Sequence, residues 1–156
     1  MLLCVGCEKT QPRSDRADTI AEVNFRENSF KDYPREDTTY LSFSRAHGFQ
    51  VNYLAPQGRA WLWYPGNLRG VPEEYKKDVI SGLQAICWRH PENSFNPVTR
   101  RSGGGFACEN LSFAQKTIVA ALPGDPFNLK TGQVPYRLDR CTAPTRFQFE
   151  RSAFSC

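Results

Sequence analysis

The chain contains 156 residues, of which 40% are apolar and 23% are charged, and its net charge is +4. This length allows one domain with a hydrophobic core. Its apolar runs are far shorter than the ~18 residues that predict a membrane-spanning helix, so we expect any membrane attachment to come from lipid. The positive charge is mild and scattered, which argues against a nucleic-acid-binding protein. We predict no metal site and no cofactor, because the common metal and nucleotide motifs do not occur.

The polar stretch that ends at Asp37 differs from the remainder of the chain. Residues 8–37 hold eight acidic and six basic residues and few large apolar ones. Such a segment buries too little apolar surface to offset the entropy lost on ordering. We therefore predict a flexible tether over residues 7–37 and a single globular, disulfide-bonded domain over residues 38–156. The apolar residues of the tether that we expect to dock on the domain as a short amphipathic group are Ile20, Val23 and Phe25.

Alternation of apolar and polar residues predicts strands at residues 39–44 and 49–54. In the second strand, Phe49, Val51 and Tyr53 share one face. These three side chains are therefore expected to point into the core.

A tight turn is predicted after the second strand. Residues 55–58 read Ala-Pro-Gln-Gly, in which Pro sets the first corner and Gly takes a positive φ. The chain then returns through residues 59–64, where Trp61 and Trp63 occupy one face and large apolar residues also occupy the other. We expect this third strand to be central or covered.

Two helices are predicted. Residues 71–78 have Pro in the first turn with acidic residues close behind it, which favours a helix start. Residues 111–122 place apolar side chains on one face, and Ser112 and Gln115 have the spacing of a capping box. Pro123 should end the second helix.

The remaining sequence predicts more strands around a long loop. Strands are expected at residues 83–89, 134–138 and 146–150, and order should resume at Phe106 after a loop over residues 92–105. The total is about six short strands with one or two short helices. We therefore predict an α+β fold built mainly on an antiparallel β-sheet, or alternatively a small open β-barrel.

The first seven residues carry a resemblance to a known class of protein. A short apolar run from Leu2 to Val5 is followed by Gly6 and Cys7, after which the sequence becomes polar. This pattern resembles the end of a bacterial lipoprotein signal peptide, which is cleaved before the acylated cysteine. The resemblance implies a signal remnant at residues 1–6 and a lipid anchor at Cys7. It also implies a location on the periplasmic side of the cell envelope, with secretion as a soluble protein as the alternative.

This apolar run is shorter than a full secretory signal, which has a basic start and roughly 7–15 apolar residues. We therefore expect the true signal to begin upstream of Met1. One alternative is an ordinary cytosolic N-terminus. Another is a redox or zinc motif at Cys4 and Cys7, although the sequence context that such motifs require is not found beside them.

The cysteines predict two disulfide bonds. The chain has six cysteines, and loss of a signal peptide with acylation of Cys7 would leave an even number in the domain, as a disulfide framework requires. Several pairings of these four are possible, and proximity along the chain favours neighbours. The favoured pairs are Cys87–Cys108 and Cys141–Cys156. Such bonds persist in oxidising compartments, which supports an extracytoplasmic location.

Candidate catalytic residues are few. The chain has two histidines, His47 and His90, and a Ser-His or Cys-His site needs just one. In sequence, His47 lies close to Ser44 and His90 lies close to Glu92. Because both pairs are so local, a structural or solvated histidine is the commoner alternative, and we favour a protein that is not an enzyme.

A glycine-rich loop suggests a second kind of site. Arg100 and Arg101 precede Gly103, Gly104 and Gly105. Exposed glycine amides beside guanidinium groups bind phosphate, sulfate or a carboxylated glycan in many proteins. The alternative is a flexible turn, which is the commoner role of three consecutive glycines.

Three functions are compatible with these features. The first is a lipid-anchored binding or envelope-accessory domain that recognises an envelope protein or an anionic glycan. The second is a small hydrolase with a histidine-based site. The third is a structural subunit of an envelope complex.

Overall fold

The computed structural model describes residues 13–96 and 98–156. Within them, seven strands form one sheet, and two further short strands form a separate pair. The strands of the main sheet are β1 (Thr38–Ser44), β2 (Gly48–Leu54), β3 (Arg59–Trp63), β4 (Val71–Ile80), β5 (Leu83–Arg89), β8 (Phe106–Asn110) and β9 (Ile118–Pro123). The short pair is β6 (Phe95–Asn96) and β7 (Arg101–Ser102), and the helices are α1 (Arg13–Asn24) and α2 (Leu111–Thr117).

The main sheet has the strand order β8-β5-β4-β3-β2-β1-β9, and every neighbouring pair is antiparallel. The sheet curls into half of a barrel. The prediction of an α+β fold with a mainly antiparallel sheet is therefore confirmed, and the curl also fits the open-barrel alternative.

One face of the sheet carries the larger core. As predicted, Phe49, Val51 and Tyr53 point to this face, together with Trp61 and Trp63 of the central strand β3. The C-terminal part of the chain covers them. Its buried apolar side chains are Phe127, Leu129, Leu138, Ala143 and Phe147.

The opposite face carries a second core beneath α2. Ala114 of α2 and Tyr33 of the preceding coil are buried there against the sheet. The sheet contributes Tyr40, Leu54, Ala60, Tyr75 and Ile86. Both faces of the central strands are therefore covered, as the apolar residues on both sides of β3 require.

The helix predicted at residues 71–78 is wrong, because these residues belong to β4. Their inward positions alternate, so that Glu73 and Tyr75 are buried while their neighbours in the strand are exposed. Ser81 and Gly82 form the tight loop between β4 and β5, and both have positive φ. Such a two-residue loop joins antiparallel strands, and pairing on both sides of β4 overrides the local helix signal.

The second predicted helix is formed only over its first half. Its N-cap is Asn110, whose side chain accepts a hydrogen bond from the amide of Ser112, so the predicted capping box is wrong. Gln115 instead donates to the backbone carbonyls of Lys31 and Tyr33. From Ile118 the chain continues as β9, because the β-branched and small residues there pair with β1.

The strands predicted at residues 134–138 and 146–150 are not formed. This part of the chain crosses the larger core as an irregular layer with 3-10 turns at Leu129–Thr131 and Arg151–Ala153. Pro135 lacks the amide that a strand interior needs. Phe147 is buried, but its amide donates to the Pro144 carbonyl and its own carbonyl accepts from Arg151 instead of from a paired strand. The alternation around Phe147 is therefore a false strand signal.

The polar N-terminal segment is attached to the domain along part of its length. Val23 is fully buried, whereas Ile20 and Phe25 are exposed, so one of the three predicted docking residues docks. Arg26 donates to the carbonyl of Phe43 over 2.9 Å. Where a flexible tether is predicted over residues 7–37, the structure has helix α1 at Arg13–Asn24 followed by a segment in contact with the domain. Residues 7–12, with Cys7, lie outside the described part of the chain.

Both predicted disulfide bonds are present. Cys87 and Cys108 lie directly opposite each other on β5 and β8. Cys141 and Cys156, with Cα atoms 5.7 Å apart, join two parts of the C-terminal layer. Among the described residues, no helix is long and apolar enough to cross a membrane.

Removal of the Cys141–Cys156 bond should destabilise the domain. The bond links residues 15 positions apart, and closing a loop of that size limits the unfolded chain by about 3 kcal/mol. We expect a Cys141→Ser, Cys156→Ser variant to lose about that much free energy of unfolding in urea titrations. An unchanged unfolding curve would contradict a structural role for this bond.

Candidate functional site

Strands β4 and β5 bring His90 beside a buried carboxylate. Glu74 lies opposite Arg89 in the antiparallel ladder, so the adjoining positions set Glu73 opposite His90. The Glu73 Oε1 and the His90 Nδ1 are 2.5 Å apart, and the Glu73 side chain is 1% exposed. The partner of His90 is therefore Glu73, and not the sequence neighbour Glu92.

Glu73 has a second polar neighbour, Asn52 of β2. The Asn52 Nδ2 donates to the Glu73 Oε2 over 3.5 Å. Ala60 of β3 lies directly opposite Glu73, and its small side chain leaves room for this contact between non-adjacent strands. The Asn52 Oδ1 is buried and has no hydrogen-bond partner among the described residues. A buried carboxylate is costly unless donors satisfy it, and His90 and Asn52 supply those donors.

The carboxylate also sets the charge state of His90. Hydrogen bonding to Glu73 raises the pKa of His90 above its ordinary value of 6.5, while partial burial acts in the opposite direction. Because Nδ1 faces Glu73, the other ring nitrogen, Nε2, is available to a ligand or to solvent, and the side chain is 37% exposed.

A cleft of about 630 Å³ opens beside this pair. A row of alternating charges crosses three strands at the cleft, with Arg59 opposite Glu74 and Glu74 opposite Arg89. Glu74 and Arg89 form an ion pair, whereas the Arg59 guanidinium lies 4.9 Å from the centroid of the Trp61 ring. The lining also includes Pro72, Glu73, His90, Pro91, Glu92 and Gly104.

The glycine-rich loop forms one wall of the cleft. The Gly104 amide donates to the His90 carbonyl, and the Gly103 amide donates to the Ser94 carbonyl, each over 3.0 Å. A Cβ atom on Gly103 would overlap the Pro91 carbonyl oxygen. These glycines therefore allow close approach of two backbone segments.

The predicted anion nest is wrong for Gly103 and Gly104, because both amides are already bonded to carbonyl oxygens. Arg100 and Arg101 are exposed on the same loop, as is Gly105. The loop positions the backbone of His90 and does not present a row of free amides.

His47 lies in the turn between β1 and β2. Its Nδ1 is 3.1 Å from the Ser44 Oγ, and its backbone amide donates to the same hydroxyl over 3.2 Å. The sequence pair Ser44 and His47 is thus brought together. Burial lowers the pKa of His47 from 6.5, against the effect of the Asn96 side chain. A serine hydroxyl that accepts from a nearby amide is a common turn device, so this contact is explained by turn structure.

The pair formed by Glu73 and His90 has the geometry in which a carboxylate orients an imidazole and stabilises its protonated form. Glu73 and Asn52 are not among the site residues predicted from the sequence. The sequence holds a signal for Glu73, because a strand at residues 71–80 places this acidic residue on the inward face. In the described part of the chain, no group of three or more His, Cys, Asp or Glu side chains is arranged to hold a metal ion.

The two histidines should titrate in opposite directions. We expect ¹H NMR titration to give a pKa above 6.5 for His90 and below 6.5 for His47. Glu73→Gln removes the carboxylate, so it should lower the pKa of His90 and leave that of His47 unchanged. His47→Gln and His90→Gln variants assign the two sets of signals. A His90 pKa that does not respond to Glu73→Gln would contradict the cause given above.

The same shifts have a consequence for stability. Because folding raises the pKa of His90, the stabilisation from its protonation is fully present below about pH 6.5 and is lost as pH rises through the pKa of the folded state. For His47, whose pKa is lowered, the contribution is present above about pH 6.5 and is lost as pH falls. In urea unfolding, His90→Gln should therefore lose stability relative to the wild type mainly at low pH. His47→Gln should lose stability mainly at high pH.

Gly103 and Gly105 offer a matched test of the loop. Gly103→Ala should lower the free energy of unfolding by about 1–3 kcal/mol, because the new methyl group overlaps the Pro91 carbonyl. Gly105→Ala meets no atom within 4 Å and should have little effect. Equal stability of the two variants in thermal and urea unfolding would contradict the close backbone approach.

No protein-family model matches the chain, and neither the curated proteins nor the solved structures include a significant match to it.

Proposed function

We propose that this chain is a lipid-anchored extracytoplasmic binding domain and that the cleft beside His90 is its ligand site. The observation that carries the proposal is an open cleft of about 630 Å³ that is lined by both acidic and basic side chains. Within it, a buried carboxylate holds His90 in one orientation. Burying a carboxylate costs folding free energy. This cost supports a functional role for His90, the side chain that the carboxylate orients.

Two features support the extracytoplasmic, lipid-anchored part of the proposal. The Cys87–Cys108 and Cys141–Cys156 bonds are compatible with an oxidising compartment. The residues that end at Cys7 resemble a lipoprotein signal, and acylation of Cys7 would join the domain to the periplasmic side of a membrane. Residues 8–12 would then connect this anchor to α1.

The chemistry of the cleft favours a polar ligand that carries negative charge. Arg89 is already paired with Glu74, whereas Arg59 forms no ion pair with the described residues and stacks on Trp61. Arg59 is therefore the charge that we assign to a carboxylate or sulfate, and the Nε2 of His90, whose charge is paired with Glu73, is a hydrogen-bond donor beside it. An anionic glycan or an acidic segment of an envelope protein supplies such groups.

A second candidate, a small hydrolase, is favoured by one specific observation. Glu73 binds Nδ1 of His90 and leaves Nε2 free to take a proton from water, as a general base does. Hydrolysis then requires the cleft to place a susceptible bond beside Nε2. Loss of a measured hydrolytic activity in both His90→Gln and Glu73→Gln, with retention in His47→Gln, would favour this candidate over binding alone.

The anchor is tested by replacing Cys7. When the gene is expressed with its upstream sequence, we expect the wild type in the membrane fraction and Cys7→Ser in the soluble fraction. Cys4→Ser is the matched control and should remain with the membrane, because Cys4 belongs to the removed signal. A wild type that is already soluble would contradict lipid anchoring.

The ligand site is tested with defined probes, a uronic-acid oligosaccharide and an acidic peptide. We expect Arg59→Ala to weaken binding of the recognised probe by about tenfold or more, as loss of a central charged contact does. Arg69→Ala removes an exposed arginine that does not line the cleft and is the control. Unchanged affinity in Arg59→Ala, or no binding of either probe by the wild type, would contradict the proposed ligand class.

A further inference from the structure

The hairpin of β4 and β5 projects beyond the rest of the sheet. β3 pairs with β4 no further than Glu74, and β8 pairs with β5 no further than Ala85. Residues 76–78 of β4 pair with β5 residues that also pair with β8, and only from Val79 to Gln84 do the two strands pair solely with each other, ending at Ile80 opposite Leu83. The end of the hairpin, residues 79–84, is therefore two-stranded, and together with residues 76–78 behind it we call this part of the hairpin the arm.

The tip of this arm is apolar on both faces. Val79, Ile80 and Leu83 are 55%, 47% and 60% exposed. Ile80 and Leu83 are paired on one face, and Val79 points to the other because side chains alternate along a strand. Ser81 and Gly82 close the tip with positive φ values of 50° and 79°, which keeps it narrow. Exposed apolar side chains in such a cluster mark a contact surface.

Two lysines lie behind the tip on opposite faces of the arm. Lys76 and Lys77 are both exposed, and at about 3.3 Å per residue they lie about 13 Å and about 10 Å behind Ile80, respectively. Lys76 is paired with Asp78 over 2.8 Å, while Lys77 forms no ion pair with the described residues. The arm therefore combines an apolar end with a net positive charge behind it.

We propose that the tip of the β4–β5 hairpin inserts into the interface of an anionic phospholipid bilayer. Lipid would surround a narrow hairpin tip and cover both of its apolar faces, whereas the surface of a partner protein would cover only one face. Side chains at such interfaces reach about 5–10 Å into the headgroup and acyl boundary. At that depth, Lys77 lies level with the phosphate groups, and its long stem extends toward them.

This contact differs from the proposed lipid anchor and does not depend on it. A membrane-bound protein with two contacts is held more firmly than one with a single contact. If Cys7 is acylated, insertion of the hairpin would also fix the orientation of the domain, and with it the direction in which the His90 cleft faces.

The experiment uses the full chain with Cys7→Ser, so that no acyl group contributes. Vesicles of phosphatidylglycerol and phosphatidylcholine in equal parts are compared with vesicles of phosphatidylcholine alone, by co-sedimentation. We expect binding to the anionic vesicles that weakens in high salt. Replacing Val79, Ile80 and Leu83 together by Ser should lower the partition coefficient by about tenfold or more, because these residues supply the inserted apolar surface.

Leu68→Ser is the matched control, because Leu68 is 57% exposed but lies outside the arm; its partition should equal that of the Cys7→Ser parent. The single variant Leu83→Ser, with an intermediate loss, covers the case in which the triple variant does not fold. Lys77→Gln should weaken binding to the anionic vesicles alone. No binding of the parent to anionic vesicles, or equal partition of the parent and the Leu83→Ser variant, would overturn the proposal and leave the Cys7 anchor untouched.

Discussion

The pairing of β4 with β5 is the interaction on which the other features depend. At one end it sets Glu73 opposite His90, and at the other it extends the apolar tip away from the sheet. Between these ends, β5 holds Cys87 opposite Cys108 of β8. A shift of this register by one residue would turn Glu73 outward and separate it from His90, because side chains alternate between the faces. The candidate ligand site, the disulfide and the projecting hairpin thus share one ladder.

The covering of both sheet faces explains why this ladder is held in place. On one side the C-terminal layer buries the aromatic residues of the central strands, and on the other side α2 packs with Tyr33. Arg26 links the N-terminal segment to the first side, where its guanidinium donates to the Phe43 carbonyl and lies over the Phe154 ring at the edge of the larger core. Chain segments before and after the sheet therefore stabilise it, and the central strands are restrained on both faces.

Glu73 is the residue whose presence is hardest to explain by stability. A buried carboxylate needs donors, and an apolar pair of similar size is often at least as stable as a buried ion pair. At this position Asn52 and His90 supply the donors, yet the Asn52 Oδ1 has no partner among the described residues. An arrangement that is costly and incompletely satisfied is typical of functional sites. This arrangement lies beside the open cleft, as a role in ligand binding requires.

The sequence by itself determined the features that depend on neighbouring residues. Alternation along residues 39–64 indicated the first hairpins and a covered third strand, and chain proximity favoured both disulfide pairs. Local signals failed at residues 71–80, where a helix-like start belongs to a strand paired on both sides. The partner of His90 lies 17 residues away, and the gap between Asn52 and Glu73 spans an intervening strand. Only the tertiary structure decided these contacts, because strand register and sheet order are set by packing across the whole sheet and not by any local pattern.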